Sequence, residues 1–103
     1  MYGLNGKMIA HPGQRDVLIG YLLQAAAGMR NLEGCYIYIV SSAPDDENAI
    51  WVTEVWRSQA DHQASLTLAG SQKLIALARP LIAGFSDRIE FVPVGGKGLP
   101  DNA

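Results

Sequence analysis

The strand-like stretches of this chain are apolar at both odd and even positions. From Gly34 to Ser42 the odd set is Cys35, Ile37 and Ile39, and the even set is Tyr36, Tyr38 and Val40. From Asn48 to Arg57, Ile50, Val52 and Trp56 share one side while Trp51 and Val55 share the other. Successive strand residues point to opposite faces, so a sheet built from these segments has two apolar faces and needs a cover on each. A first strand is predicted over Tyr2 to Ala10, where Tyr2, Leu4, Gly6, Met8 and Ala10 alternate with Gly3, Asn5, Lys7 and Ile9. His11-Pro12-Gly13 ends it, and Pro12 suits the first turn of the helix that follows, where a missing N–H costs nothing. Val17, Leu18, Tyr21, Leu22, Ala25 and Met29 recur at helical spacing. The polar turn Pro44 to Asn48 joins strands two and three as a hairpin. Ser58, with Asp61 three residues on, starts a short helix reaching about Leu68. After Gly70, Ser71 can cap another helix, with Leu74, Ile75, Ala78, Leu81 and Ile82 as its buried stripe. Pro80 should break it near Arg79. Ser86 to Val94 reads as the last strand, Ile89 and Phe91 opposite Val92 and Val94.

The order strand, helix, strand, strand, helix, strand is the split βαβ, ferredoxin-like pattern of an α+β fold. Four antiparallel strands carry helices on one face. The other apolar face then calls for a second copy, because soluble monomers rarely expose a large apolar patch. A homodimer in the form of a dimeric α+β barrel is expected, with a single domain over residues 1–98 and a flexible C-terminal tail over 99–103.

Composition narrows the function classes. The net charge is −2, and Lys and Arg are scattered. No basic face is offered to nucleic acid, nor a polybasic anchor to a membrane. No apolar run approaches the ~20 residues of a membrane span, and no signal-peptide core opens the chain. Cys35 is the only cysteine, which excludes an intrachain disulfide and suits a cytoplasmic location. No Cys or His pair has metal-ligand spacing. Gly95-Gly96-Lys97-Gly98 follows a strand but leads into no helix, unlike a phosphate loop. No flavin or nicotinamide fingerprint is present. The expectation is a protein without metal or cofactor.

Several side chains are candidates for chemistry, each with a structural alternative. Trp56 ends the third strand and can wall an apolar pocket against a flat substrate, or simply pack. Glu54 shares its strand face and, if buried, needs a partner; an ion pair across the dimer is the preferred reading. His62, on the helix after Trp56, has the right chemistry for a general base toward a phenol, or is a solvated helix residue. Asn5 is a polar side chain inside an apolar strand, suited to holding a substrate oxygen or to a hydrogen bond at the barrel rim. Tyr36 and Tyr38 fall on one strand face, with hydroxyls for a substrate carbonyl or for packing with polar tips. Arg79 either stabilises an oxyanion or caps a helix C-terminus. His11 reads as a capping residue.

The segment Glu54-Val55-Trp56-Arg57-Ser58-Gln59-Ala60-Asp61-His62 resembles the signature of the antibiotic-biosynthesis monooxygenase-like (ABM) family. That signature is a strand ending in Glu-x-Trp, a capping Ser and a short helix with an Ala and a His. Gly6-Lys7-Met8 with Pro12-Gly13, Gly34-Cys35 with Tyr38, and Asp46-Glu47-Asn48 are similar too. Ala78-Arg79-Pro80-Leu81-Ile82 with Gly84-Phe85 resembles a branch of candidate quinol monooxygenases. The resemblance covers residues 2 to about 98. It implies a cofactor-independent monooxygenase acting on quinol-like or polyphenolic aromatics and O2. The family also holds haem-degrading enzymes and an isomerase of a phosphorylated sugar, so a binder or isomerase of a small polar metabolite is the alternative, and a purely structural dimer a third. Many relatives carry a histidine one turn later, where this chain has Ser65. The haem-degrading branch ligates iron from this helix, a task Ser65 cannot perform, and it carries an Asn on the first strand. The expected site joins His62, Asn5 and Trp56 as catalytic residues, with Tyr36, Tyr38, Ser65 and Arg79 contacting substrate.

Overall fold

A computed structural model describes residues 1–101. Strand β1 (Tyr2–Ala10) leads to helix α1 (Arg15–Gly28), then the hairpin of β2 (Cys35–Ser42) and β3 (Ala49–Trp56). Helices α2 (Gln59–Ser65) and α3 (Ala69–Ala78), a short 3-10 turn (Arg79–Leu81) and β4 (Ile82–Phe91) complete the chain. The four strands form one antiparallel sheet in the order β2-β3-β1-β4. This is the ferredoxin-like α+β arrangement that the element order predicts. The tail expected over 99–103 lies, at 102 and 103, outside the described residues.

Register decides which side chains share a face. Tyr2 pairs with Trp56, Leu4 with Glu54, Gly6 with Val52 and Met8 with Ile50. Even residues of β1 and β3 therefore stand together under the helices. Ala10, Leu18, Ile50, Val52 and Ala78 form the buried core there, with Met8, Leu22, Tyr38 and Val40 packed against it. The odd residues make the outer face. Thr53 donates to Asn5 Oδ1 at 2.9 Å, and the Lys7 ammonium sits 5.6 Å from the Trp51 ring centre. Ile39 and Ile89 are about half exposed on this face. No helix among the described residues is long and apolar enough to cross a membrane.

Local structure departs from the sequence reading at several points. Helix α2 ends at Ser65 rather than about Leu68, and Gly70 lies inside α3. Pro12 is not in α1: Pro12 and Gly13 form a turn closed by the Gln14 N–H donating to the His11 carbonyl at 3.0 Å. Gly13, at φ +79, turns in the left-handed region before the helix begins. Val17 is half exposed, one position off the buried Leu18. Ser71 does not cap α3; the extended backbone of Leu68 does, with ψ 141, and the Gln72 N–H donates to its carbonyl at 2.9 Å. The last strand starts at Ile82 rather than Ser86, because the turn around Pro80 delivers an extended residue opposite Ala10 at once. It ends at Phe91, leaving Val92 and Val94 beyond it and exposed.

Candidate functional site

The joint between β3 and α2 is fixed by short-range bonds. The Asp61 N–H donates to Ser58 Oγ at 3.1 Å, the side-chain cap expected from sequence. Arg57 grips the Asp61 carboxylate with a fork at 2.8 and 3.1 Å. An added Cβ at Gly34 would lie 2.7 Å from Asp61 Cγ, so that position accepts only glycine without displacing the fork. With its N-terminus held in this way, α2 turns His62 and Ser65, one helical turn apart, inward.

His62 is buried between two aromatic rings. Its centroid is 5.6 Å from that of Tyr2 and 5.5 Å from that of Trp56, the latter edge-on at 62°. Trp56 is 1% exposed. Its indole N–H donates to Glu54 Oε1 at 3.0 Å. The same oxygen is 3.7 Å from His62 Nε2, with both side chains only 11% and 12% exposed. Ser65 Oγ donates back to the His62 carbonyl at 2.6 Å.

The electrostatics follow from burial. Desolvation pushes the Glu54 carboxyl above its ordinary range, against the opposing pull of the Trp56 hydrogen bond, His62 and Arg88. Burial and the nearby Glu54 also push the Tyr38 phenol upward, with a further contribution from Cys35. The Cys35 thiol rises to about 11 for the same two reasons, burial first. Tyr38 is therefore a hydrogen-bond donor at neutral pH, not a base.

A cavity of about 120 Å³ opens between the helices and the sheet. Tyr38, Glu54, His62 and Ser65 line it beside Leu22, Met29, Leu74 and Ile75. A second hollow of about 210 Å³ adjoins it on the β4 side, bounded by Leu4, Met8, Val52, Phe85, Asp87 and Arg88. Tyr38 and Glu54 belong to both.

The structure thus brings together His62, Ser65 and Tyr38 at the cavity wall, with Trp56 behind Glu54 and His62. It does not bring Asn5 there. Asn5 pairs with Thr53 on the outer face, so it stands on the other side of the sheet from Trp56 and His62. Tyr36 lies at the bulge between Cys35 and Ile37, which breaks the alternation shared with Tyr38, and it lines neither hollow. Arg79 is exposed at the C-cap position of α3, where its backbone N–H donates to the Ile75 carbonyl, and also lines neither. Glu54 faces the helices and bonds Trp56, which replaces the reading of an ion pair across a dimer. It sits at the centre of this arrangement, in contact with Trp56 and His62. The available signal was a lone carboxylate among Val52, Val55 and Trp56. Among the described residues no cluster of three or more His, Cys, Asp or Glu side chains is arranged to hold a metal ion.

Comparison with known proteins places this geometry in context. Residues 1–77 match the family model for antibiotic biosynthesis monooxygenase. A candidate antibiotic biosynthesis monooxygenase from Chloroflexus aurantiacus J-10-fl superposes with a TM-score of 0.88 at 50% identity, covering 96% of this chain and 98% of that one. One from Deinococcus radiodurans gives 0.79 at 21% identity over 93% and 95% of the two chains. One from Nitrosomonas europaea gives 0.83 at 10% over 92% and 100%. The last two likenesses speak for the fold alone. No curated protein matches the chain.

Proposed function

The chain belongs to the antibiotic biosynthesis monooxygenase family, and from that premise we propose that it is a cofactor-independent monooxygenase of quinol-like or polyphenolic aromatics. The observation that carries the reading is the buried imidazole–carboxylate pair, His62 and Glu54, opening on an otherwise largely apolar cavity. An engineered apolar cavity of ~150 Å³ holds a benzene, so the space next to His62 suits about one aromatic ring.

In this reading His62 accepts the phenolic proton, and Glu54, 3.7 Å away, stabilises the imidazolium that forms. Catalytic contacts in an empty site commonly tighten once substrate is bound. The electron-rich phenolate passes an electron to O2, and the two radicals combine at ring carbon as a hydroperoxide. Loss of water completes the step. A hydroquinone and O2 give a hydroxyquinone and water, and all four electrons come from the ring. Tyr38 donates to the developing oxyanion, the task that sequence assigned to Asn5. A second copy covering the outer face and a cytoplasmic location complete the proposal. The rival, a binder or isomerase of a phosphorylated metabolite, needs cationic groups converging with His62; Arg79 stands away from the cavity, and Arg88, in the adjoining hollow, is paired with Glu90.

The test is oxygen consumption with a panel of hydroquinones under chelation. Wild type should exceed buffer on at least one. His62→Ala should lower that rate by at least about tenfold, a cautious bound for loss of a general base. A wild type no faster than buffer on every member would sink the oxygenase reading.

A further inference from the structure

We propose that Glu54 is a specificity-determining residue: it reads a donor hydroxyl on a two-ring aromatic that spans both hollows. This deepens the functional reading and rests on its assignment of the substrate site, though not on the oxidation chemistry.

Glu54 and Tyr38 are the residues common to the two hollows. The first has room for about one ring, and the second, at about 210 Å³, for a second ring or substituent. Leu22, Leu74 and Ile75 give an aliphatic wall on one side, and Leu4, Met8 and Val52 on the other, where Asp87 and Arg88 add a charged β4 rim. A ligand lying across the junction meets the Glu54 carboxyl, which is the carboxylate common to both hollows; Asp87 lines only the β4-side one. Oε1 already takes the Trp56 N–H, while Oε2 takes no hydrogen bond from the described residues and is not sealed off. An open, largely buried acceptor favours ligands that supply a donor and penalises analogues that cannot, because the carboxyl would then stay desolvated and unpaired. Arg88 at the rim does not shift the preference toward anions, since Glu90 pairs with it at 2.5 Å. Trp56 is the positioning residue, holding Oε1 so that Oε2 keeps its aim.

The experiment measures binding without turnover. Phenylhydroquinone, its dimethyl ether and plain hydroquinone are titrated under anaerobic conditions, with Trp56 fluorescence as the readout in a Trp51→Phe background. Trp51 is the only other tryptophan and lies on the outer face. Phenylhydroquinone should bind on the order of tenfold or more tighter than its dimethyl ether, the fold-change of one hydrogen bond to a charged group. It should also bind more tightly than hydroquinone. Glu54→Leu should abolish the discrimination against the ether. Glu54→Gln, which preserves shape and an acceptor for Trp56, should reduce it and serves if the leucine variant fails to fold. Unchanged discrimination in the folded variants, or equal binding of one-ring and two-ring quinols, overturns the proposal. Discriminating binding without oxygen consumption would leave it standing while the oxygenase reading fails. Oxygen consumption with unchanged discrimination would do the reverse.

Discussion

Replacing Trp56 by phenylalanine should cost the fold about 3–4 kcal/mol, and roughly half of that should be carried by one hydrogen bond. Trp56 is 1% exposed, so the substitution removes roughly two buried carbons at ~0.8 kcal/mol each. It also removes the N–H that Glu54 Oε1 accepts at 3.0 Å. A hydrogen bond to an ionised group contributes ~1.5–3 kcal/mol. The total corresponds to a Tm lower by roughly 12–16 °C for a domain of this size. Packing loss alone could imitate a total of that kind, so the discriminating measurement is a double-mutant cycle. Trp56→Phe, Glu54→Leu and the double variant are unfolded in urea at one protein concentration, since oligomerisation would make stability concentration-dependent. If the bond is what the two side chains share, the cycle should show a coupling of at least about 1 kcal/mol. That coupling should be larger above the Glu54 titration range than below it, because the carboxylate is the stronger acceptor. Additivity within ~0.3–0.5 kcal/mol at both pH values would refute the idea that Trp56 holds Glu54.

Two further outcomes are expected. Burial raises the Glu54 carboxyl in the folded chain, so its neutral form favours folding; that stability is fully present below the ordinary glutamate value and is lost as pH rises through the raised one. Glu54→Gln should therefore gain on wild type in Tm as pH climbs through that window, with His62, Arg88, Tyr38 and Cys35 as the other titratable or charged groups involved; parallel Tm–pH curves for the two proteins would contradict it. The apolar outer face should be covered by a second copy, so light scattering with sizing at micromolar concentration should give a dimer and Ile39→Glu, at a half-exposed position of that face, should shift it toward monomer; a wild-type monomer there would refute the packing reasoning.

How much of this was legible in the sequence depends on which interactions decided it. β1 runs over Tyr2–Ala10 as its alternation predicts, and the cap of α2 is the one that Ser58 and Asp61 announce. Both are local. The misplacement of Asn5 arose between strands. The β1–β3 pairing is antiparallel with Asn5 opposite Thr53, and a slip of one residue would have put it beside Glu54 instead. Nothing within β1 alone sets that slip. With both sheet faces apolar, parity also could not say which one the helices cover, and so Glu54 was assigned to an interface rather than to the cavity. Tyr36 failed for a related reason: one bulge at the start of β2 undoes an alternation that looks regular in sequence. The placement of Trp56, His62, Ser65 and Tyr38 at or behind the cavity wall was legible because strand end, cap and helical spacing locate them without knowledge of the register.

The His62–Glu54 pair of the proposed site is built from one short stretch anchored in the middle of the sheet. Glu54 and Trp56 stand on β3, which is flanked by β1 and β2. His62 follows on α2, tied back to the end of β3 through Ser58, Arg57 and Asp61. Placed one turn before Ser65, the imidazole packs against Tyr2 and Trp56 and meets the carboxyl of its own sheet, while the Ser65 hydroxyl is occupied by the His62 carbonyl. The distal wall of the cavity comes from α1 and α3, which offer it mainly apolar surface such as Leu22, Met29, Leu74 and Ile75. The geometry of the His62–Glu54 pair and the shape of the distal wall are thereby set by different elements. In the proposed reading, a change in α1 or α3 would alter which ring fits without moving the His62–Glu54 pair, and a change between residues 54 and 62 would alter the chemistry without reshaping the distal wall. Under the proposed function, such a division would let this small fold keep one acid–base pair while the distal wall is free to fit differently shaped aromatics.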